Sequence, residues 1–326
     1  LSEKASDESF SASSVSPPPK TEQDVETPSL GDLSTRDKVW DKHKANSDTI
    51  AQHYSRSRYS KFSQRINICA DLLEFRLAPD QHEGVYKLKL SGARFCRVRH
   101  CAICQWRRSL MWKAKAYKIL PRVTQDYPKH RWLFLTLTVR NCPIQELRTT
   151  LESMNESFKR LTKLKAWPGE GWVKSTEVTR GRDGSAHPHF HVLMMVPASY
   201  FSGQDYISQA RWSELWQKCL RIDYKPVTHV RAIAKHNDPQ VIVPEILKYQ
   251  VKESDLVADR KWFLQLTEQL HKTRAVAVGG VLRKYLKELE QEPEDLIGED
   301  DNPEKVDEGS LYFGWKRQQR KYRLVD

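Results

Sequence analysis

The segment His187-Pro-His-Phe-His-Val-Leu-Met-Met-Val196 restricts the fold more than any other stretch of this chain. Side chains alternate along an extended strand, so His187, His189 and His191 share one face. Phe190, Val192 and Met194 share the other, which must be covered by packed helices. The turn signal Asp183-Gly184 just upstream joins this strand to Gly171–Thr179 as a hairpin. Residues near Glu177 then lie opposite the histidines. Glu177 stands inside Trp172-Val-Lys-Ser-Thr-Glu-Val-Thr179, where an unpaired buried carboxylate is costly. Two neutral imidazoles two residues apart, with one carboxylate, can bind a divalent cation and leave positions open. That donor set suits Mg²⁺ or Mn²⁺ at a phosphodiester better than a closed zinc site. The plain alternative is a histidine-rich exposed strand beside an ordinary surface glutamate.

The flanking pattern predicts an α+β fold with an antiparallel sheet and helices on one face. Trp132–Val139 alternates as a strand. Leu147, Leu151, Met154, Phe158 and Leu161 recur at helical spacing after Pro143. Further helices are predicted over 207–221 and 242–253, a strand over 226–233, and mostly helix over 259–289 with a break near Gly279-Gly280. Upstream, Trp106, Leu110, Ala114, Tyr117 and Leu120 mark a helix from Gln105 to about Gln125. A short polar helix is predicted within 36–60, and short strands such as Tyr86–Leu90 within 62–104.

Charge is unevenly placed. The chain of 326 residues carries a net +12, yet residues 1–35 count to −5 and 288–308 to −10, while 309–326 count to +4. Residues 36–287 therefore hold +23. A body this basic points to a polyanion partner, most often nucleic acid, although a basic surface alone would also produce it. No stretch approaches a membrane span and no apolar secretory core is present, which predicts a cytoplasmic protein with reduced thiols. The domain organisation expected is a disordered acidic tail over 1–35, a basic cysteine-rich segment over 36–105, a catalytic domain over 106–287, and an acidic linker with a basic C-terminal tail over 288–326.

Cys96-x4-Cys101-x2-Cys104 supplies three thiols at metal-ligand spacing. Cys69 is the leading fourth ligand and His100 its competitor. Four thiolates would close a structural Zn²⁺ site; disulfides and unligated core thiols are the other readings. The helix that follows carries Arg107, Arg108, Lys113, Lys115 and Lys118, which can lie along DNA phosphates. Farther on, Pro244-Glu-Ile-Leu-Lys-Tyr-Gln-Val-Lys-Glu-Ser-Asp255 has helical spacing. Glu245, Tyr249 and Lys252 fall on one face of such a helix. Tyrosine can attack a phosphodiester, a nearby lysine or metal can ease its deprotonation, and Glu245 can act as a general base. An amphipathic helix with ordinary surface pairs gives the same pattern.

Taken together, Phe134-Leu-Thr-Leu-Thr138, His187-Pro-His-Phe-His191 and Tyr249-x-x-Lys252-x-x-Asp255 resemble, in order, the three motifs of rolling-circle plasmid replication initiator (Rep) proteins in the HUH endonuclease superfamily. The resemblance covers roughly residues 62–290. The cysteine block and Gln105-Trp-Arg-Arg108 are similar to its single-tyrosine group. A two-tyrosine pair is not evident, since position 245 is Glu and the next tyrosine is Tyr285. The resemblance implies an RRM-like antiparallel sheet (the HUH endonuclease fold) preceded by a zinc-binding segment. It implies a cation on His189, His191 and Glu177, and origin DNA as substrate at a single-stranded or cruciform nick site. Tyr249 would become joined to the 5′ phosphate, the freed 3′ hydroxyl would prime synthesis, and Glu245 would activate water at termination. Host helicase and polymerase are the implied partners. A transposase or relaxase with the same chemistry is the near alternative, and a non-cutting zinc-containing DNA-binding regulator the distant one.

Overall fold

The computed structural model describes residues 27–79, 86–203, 205–233, 251–289 and 309–325. Among them are two antiparallel sheets. The larger has five strands: β3 (Arg131–Thr138), β4 (Gly171–Arg180), β5 (Ala186–Val196), β6 (Thr228–Ala232) and β7 (Val276–Gly280), in the order β6-β3-β5-β4-β7. The smaller holds β1 (Leu72–Pro79), β2 (Tyr86–Ala93), β8 (Leu311–Lys316) and β9 (Lys321–Val325), in the order β2-β1-β8-β9.

The alternation of β3 and β5 decides what lies on each side of the larger sheet. Leu135, Leu137, Phe190, Val192 and Met194 pack against α5 (Leu147–Leu161) and α6 (Gln209–Leu220) through Leu151, Met154, Phe158, Trp212 and Trp216. Trp132, Phe134, Leu193 and Met195 face the other way. They meet Ile119 and Val123 of α4 (Ala102–Asp126), and Leu282 and Tyr285 of α9 (Leu282–Leu289). Helices therefore lie on both faces, not on one. Among the described residues the second layer covers one end of the histidine-bearing face and leaves the other end open.

Local chemistry explains several boundaries. The Ser208 side chain accepts from Arg211 N at 3.2 Å and starts α6; Arg221, at φ 59°, ends it in the left-handed region. Asp259 caps α8 (Arg260–Gln269) by accepting from Trp262 N at 3.0 Å. Before it lies the short α7 (Glu253–Ala258). The glycine pair expected to break a helix instead ends strand β7. A Cβ at position 279 would come within 2.2 Å of the Trp172 ring, and one at 280, where φ is +61°, within 1.9 Å of the Glu170 carbonyl oxygen. Only glycine fits where this edge strand turns into α9.

The expected polar helix near the N-terminus is α2 (Val39–Tyr54), and it is not a surface element. Trp40, Ile50 and Tyr54 are buried, with α3 (Ser60–Asn67) beside it. Residues 27–35, expected to belong to a disordered tail over 1–35, are structured. Ser29 and Asp32 form a capping box for α1 (Leu30–Leu33), Leu30 is fully buried, and Leu324 N donates to Pro28 O at 3.0 Å. Residues 1–26 lie outside the described residues.

The expected basic tail after residue 308 is also a structural part. Strand β8 pairs with β1, setting Phe313 against Leu73, and the β8–β9 hairpin buries Phe313 and Tyr322 completely. Trp315 Nε1 and Arg317 Nε both donate to Asp48 of α2, at 2.8 and 3.0 Å. Of the basic residues that suggested a tail, Lys316, Arg317, Arg320 and Lys321 are exposed at or beside the turn of this hairpin, while Arg323 is buried and donates to the Thr27 carbonyl at 2.7 Å. Phe313→Ala is expected to cost about 3–5 kcal/mol of stability, as for buried aromatic truncations. Denaturant unfolding measures it; a change within about 0.5 kcal/mol, the range of surface substitutions, would show the hairpin is dispensable.

Candidate functional site

The β4–β5 register sets Glu177 directly opposite His189, as the hairpin reading requires. The turn runs through Gly184 at φ 83°, where glycine is needed. Glu177 Oε2 lies 2.9 Å from His191 Nε2 and 3.3 Å from His189 Nε2. All three residues are largely buried, and the three ligand atoms lie within 4.8 Å of one another.

The outer hydrogen bonds orient the rings. His189 Nδ1 is 3.2 Å from the His187 carbonyl oxygen, which can only accept, so Nδ1 carries a proton and Nε2 is the nitrogen that faces Glu177 and would give up any proton of its own to a bound cation. His191 Nδ1 contacts the Thr136 hydroxyl at 3.3 Å, and Phe134 stacks on the ring. Burial opposes the charge on Glu177, but hydrogen bonds from His189 and His191 outweigh it and hold its pKa at about 2. The result is a fixed carboxylate beside two imidazoles whose Nε2 atoms converge, a donor set that fits one hard or borderline divalent cation.

His187 extends the row without joining the cluster. Its Nδ1 is 2.7 Å from Asn141 Oδ1, and burial together with the neighbouring His189 lowers its pKa. Sequence reading missed Asn141 and Thr136; the strand expected over 226–233 is β6, but its place beside β3 was not foreseen. There His229 pairs with Thr136 and Arg231 with Phe134, so both extend the same sheet face into solvent. Period-two alternation in Phe134-Leu-Thr-Leu-Thr138 was the signal that could have found Thr136.

Glu245 and Tyr249 lie outside the described residues. The chain after them is held firmly. Val251 is buried, Glu253 meets His43 and Asn46 at 2.6 Å each, and Asp255 accepts from Arg180 N at 3.0 Å. Arg180 is the last residue of β4, three positions from Glu177. The helix expected over 242–253 does not run through Lys252. That residue has extended backbone (φ −61°, ψ 135°) as the N-cap of α7, so helical spacing cannot set its side chain beside Tyr249. The rival tyrosine, Tyr285, is buried in the second core and its hydroxyl donates to Asp126.

The cysteine cluster closes with Cys69 and not His100. Sγ–Sγ separations are 3.6 Å for Cys69–Cys104 and Cys96–Cys104, and 3.7 Å for Cys69–Cys101. A zinc tetrahedron with Zn–S near 2.3 Å has edges of about 3.8 Å, whereas a disulfide needs about 2.05 Å. Backbone N–H groups of Cys96, Arg97 and Val98 point at the sulfurs at 3.3–3.4 Å, as thiolate charge requires. The four thiols therefore fit a closed Zn²⁺ site. Lys44, fully buried on α2, donates to the Cys69 carbonyl at 2.7 Å and ties the loop to the core. Cys142 and Cys219 are buried away from it, as expected of isolated core thiols.

Of the basic residues assigned to DNA on α4, Arg107 is buried and its guanidinium lies over Trp40 and Trp106. Arg108 donates to the carbonyls of Arg97 and Arg99 at 2.8 and 3.3 Å, bracing the cysteine loop. Lys113, Lys115 and Lys118 remain at the helix surface.

This combination of a four-thiol cluster and a clustered Glu-His-His set defines a candidate metal centre on a basic body. Residues 87–323 match the family model described as replication protein (Rep). A Rep protein of Lentilactobacillus hilgardii is 33% identical over 84% of this chain and 90% of its own length. One from Streptococcus pneumoniae is 31% identical over 88% and 92%. One from Lactiplantibacillus plantarum is 36% identical over 69% and 74%. The chain belongs to the Rep replication-protein family, the plasmid replication initiators that its motifs resemble. No solved structure gives a significant match. Among the described residues no helix is long and apolar enough to cross a membrane.

Elemental analysis of the purified protein is expected to find about one zinc per chain, as for a closed four-thiolate site. Cys69→Ser should lower that content and the melting temperature together. A stably folded, zinc-free wild-type protein would contradict the assignment.

Proposed function

We propose that this chain initiates rolling-circle replication of a plasmid by nicking one strand of its origin through a covalent tyrosine intermediate. The observation that carries the reading is the convergence of Glu177, His189 and His191 on an open sheet face, with the chain that follows Tyr249 tied to the end of the same hairpin. The five-stranded antiparallel sheet, with those residues on neighbouring strands, supports an RRM-like HUH endonuclease fold.

Glu177, His189 and His191 would hold Mg²⁺ or Mn²⁺, which polarises the scissile phosphate and neutralises charge that develops on it. The protein's own residues do the rest. The ring hydrogen bonds to the His187 carbonyl and to Thr136 fix the two imidazoles before substrate arrives. His229 and Arg231 line the exposed part of the sheet, where an extruded single strand can stack and pair its phosphates. Lys113, Lys115 and Lys118 on α4 contribute sequence-independent phosphate contacts. The Tyr249 oxygen attacks phosphorus, forms the 5′-phosphotyrosine bond and releases the 3′ hydroxyl that serves as primer. Glu245 takes the proton from water when the last turn of replication is terminated. Lys252 has a lesser part, at the junction into α7. Host helicase and polymerase would act on the opened origin, in the cytoplasm. A transposase or relaxase would share this chemistry, and a non-cutting regulator would have no use for the Glu-His-His set.

Incubation with a single-stranded origin oligonucleotide and Mn²⁺ tests the reading. Wild-type protein should nick and form a covalent adduct. Tyr249→Phe should bind and form none, and His189→Ala with His191→Ala should bind and not nick. Glu245→Ala should nick but lose hydrolytic termination by roughly 10²- to 10⁴-fold, the usual general-base contribution. An adduct in Tyr249→Phe, or binding by wild type without any cleavage, would overturn the proposal.

A further inference from the structure

Beside the metal set, along the same sheet face, runs a groove that the proposed nicking chemistry does not use. One wall is α4, where Arg108 and Trp112 are one turn apart and share a face. The other is the segment from His271 through β7 into α9. Two cavities of about 380 and 660 Å³ occupy it, and Ala275 lines both. Arg97, Arg108, His271 and Lys272 line the first. Trp112, Arg274, Arg283 and Lys287 line the second. Among the described residues no aspartate or glutamate lines either one.

Two further features indicate what such a groove accepts. The first is its origin. Val276 of β7 pairs with Ser175, which is two residues from Glu177 on β4. At about 3.4 Å per residue the groove begins roughly 7 Å along the strand from the metal set. The second is His100, which lines the first cavity. It is 2% exposed, and neither ring nitrogen has a hydrogen-bond partner among the described residues. A neutral imidazole offers one donor and one acceptor, and a buried pair of this kind left unmet costs stability. A nucleobase edge presents matching donors and acceptors. Phosphates would meet the guanidinium and ammonium groups, and a base would stack on Trp112.

We propose that this groove holds a single strand of DNA leaving the metal set, its phosphates on Arg274, Arg283 and Lys287, one base on Trp112 and one base edge reaching His100. The proposal rests on the replication-initiator reading for the identity of the polyanion. It does not depend on cleavage. Duplex DNA is disfavoured because its bases are stacked inside the helix, where neither Trp112 nor His100 can reach their faces or pairing edges.

Fluorescence anisotropy of an oligothymidine of about thirty nucleotides, several times a typical single-strand site, tests this without added Mg²⁺ or Mn²⁺. The double variant Arg274→Ala/Lys287→Ala should bind at least ten-fold more weakly. It should also lower the slope of log affinity against log salt by about 1.4, since each lost phosphate contact on a single strand accounts for about 0.7. Trp112→Ala should bind five-fold or more weakly with little change in slope. A control pair, Lys163→Ala/Lys218→Ala, removes two exposed lysines from the α5–α6 side and should change neither. The assay contains no divalent cation and reads binding alone, so failure of the nicking chemistry and failure of the groove are read separately. Groove variants that bind the oligothymidine as wild type overturn the proposal. So does a loss of duplex affinity larger than the loss of single-strand affinity, which would assign the surface to duplex DNA.

Discussion

The pairing register between β4 and β5 is the constraint on which the site depends. It sets Glu177 opposite His189 and lets one carboxylate oxygen reach both His189 and His191. Strand side chains alternate with a period of two, so a slip of one residue would turn the histidines inward and put Phe190, Val192 and Met194 in water. Those three side chains are fully buried against α5 and α6. The apolar face thus fixes the register with hydrophobic energy, and the polar face inherits its geometry. A buried carboxylate next to two imidazoles would be expensive without such a frame; here the hydrogen bonds hold it charged.

The cysteine cluster and the C-terminal hairpin support that frame from one side. Cys101 and Cys104 lie at the start of α4, the same helix whose far end covers the histidine-bearing sheet face through Ile119 and Val123. Ordering the thiols therefore orders one wall over the sheet. The hairpin β8–β9 closes the smaller sheet against α2, which in turn grips Glu253 through His43 and Asn46. Elements far apart in sequence converge on residues 251–255, where Asp255 accepts from Arg180 at the end of β4.

Much of this was legible in the residues. The hairpin turn, the alternating histidines and the partner glutamate followed from strand periodicity alone, and the fourth cysteine from metal-ligand counting. What failed has physical reasons. The pair Gly279-Gly280 marks close packing on Trp172 and the Glu170 backbone, and no local pattern distinguishes that from a helix break. Residues 311–325 look like a basic tail because only long-range pairing with β1 buries Phe313 and Tyr322. Arg107 counts as a DNA contact until its aromatic surroundings on α2 and α4 are known. Helical spacing could not show that α7 begins afresh after Lys252.

The central claim is that Glu177, His189 and His191 form one divalent-cation site on the sheet face. Anomalous scattering from crystals soaked in Mn²⁺ tests it most directly. The account predicts a manganese peak within about 2.0–2.6 Å of one Glu177 oxygen and both histidine Nε2 atoms, the usual range for oxygen and nitrogen ligands of such ions. Manganese bound elsewhere, with Glu177 still hydrogen-bonded to uncoordinated histidines, would contradict it.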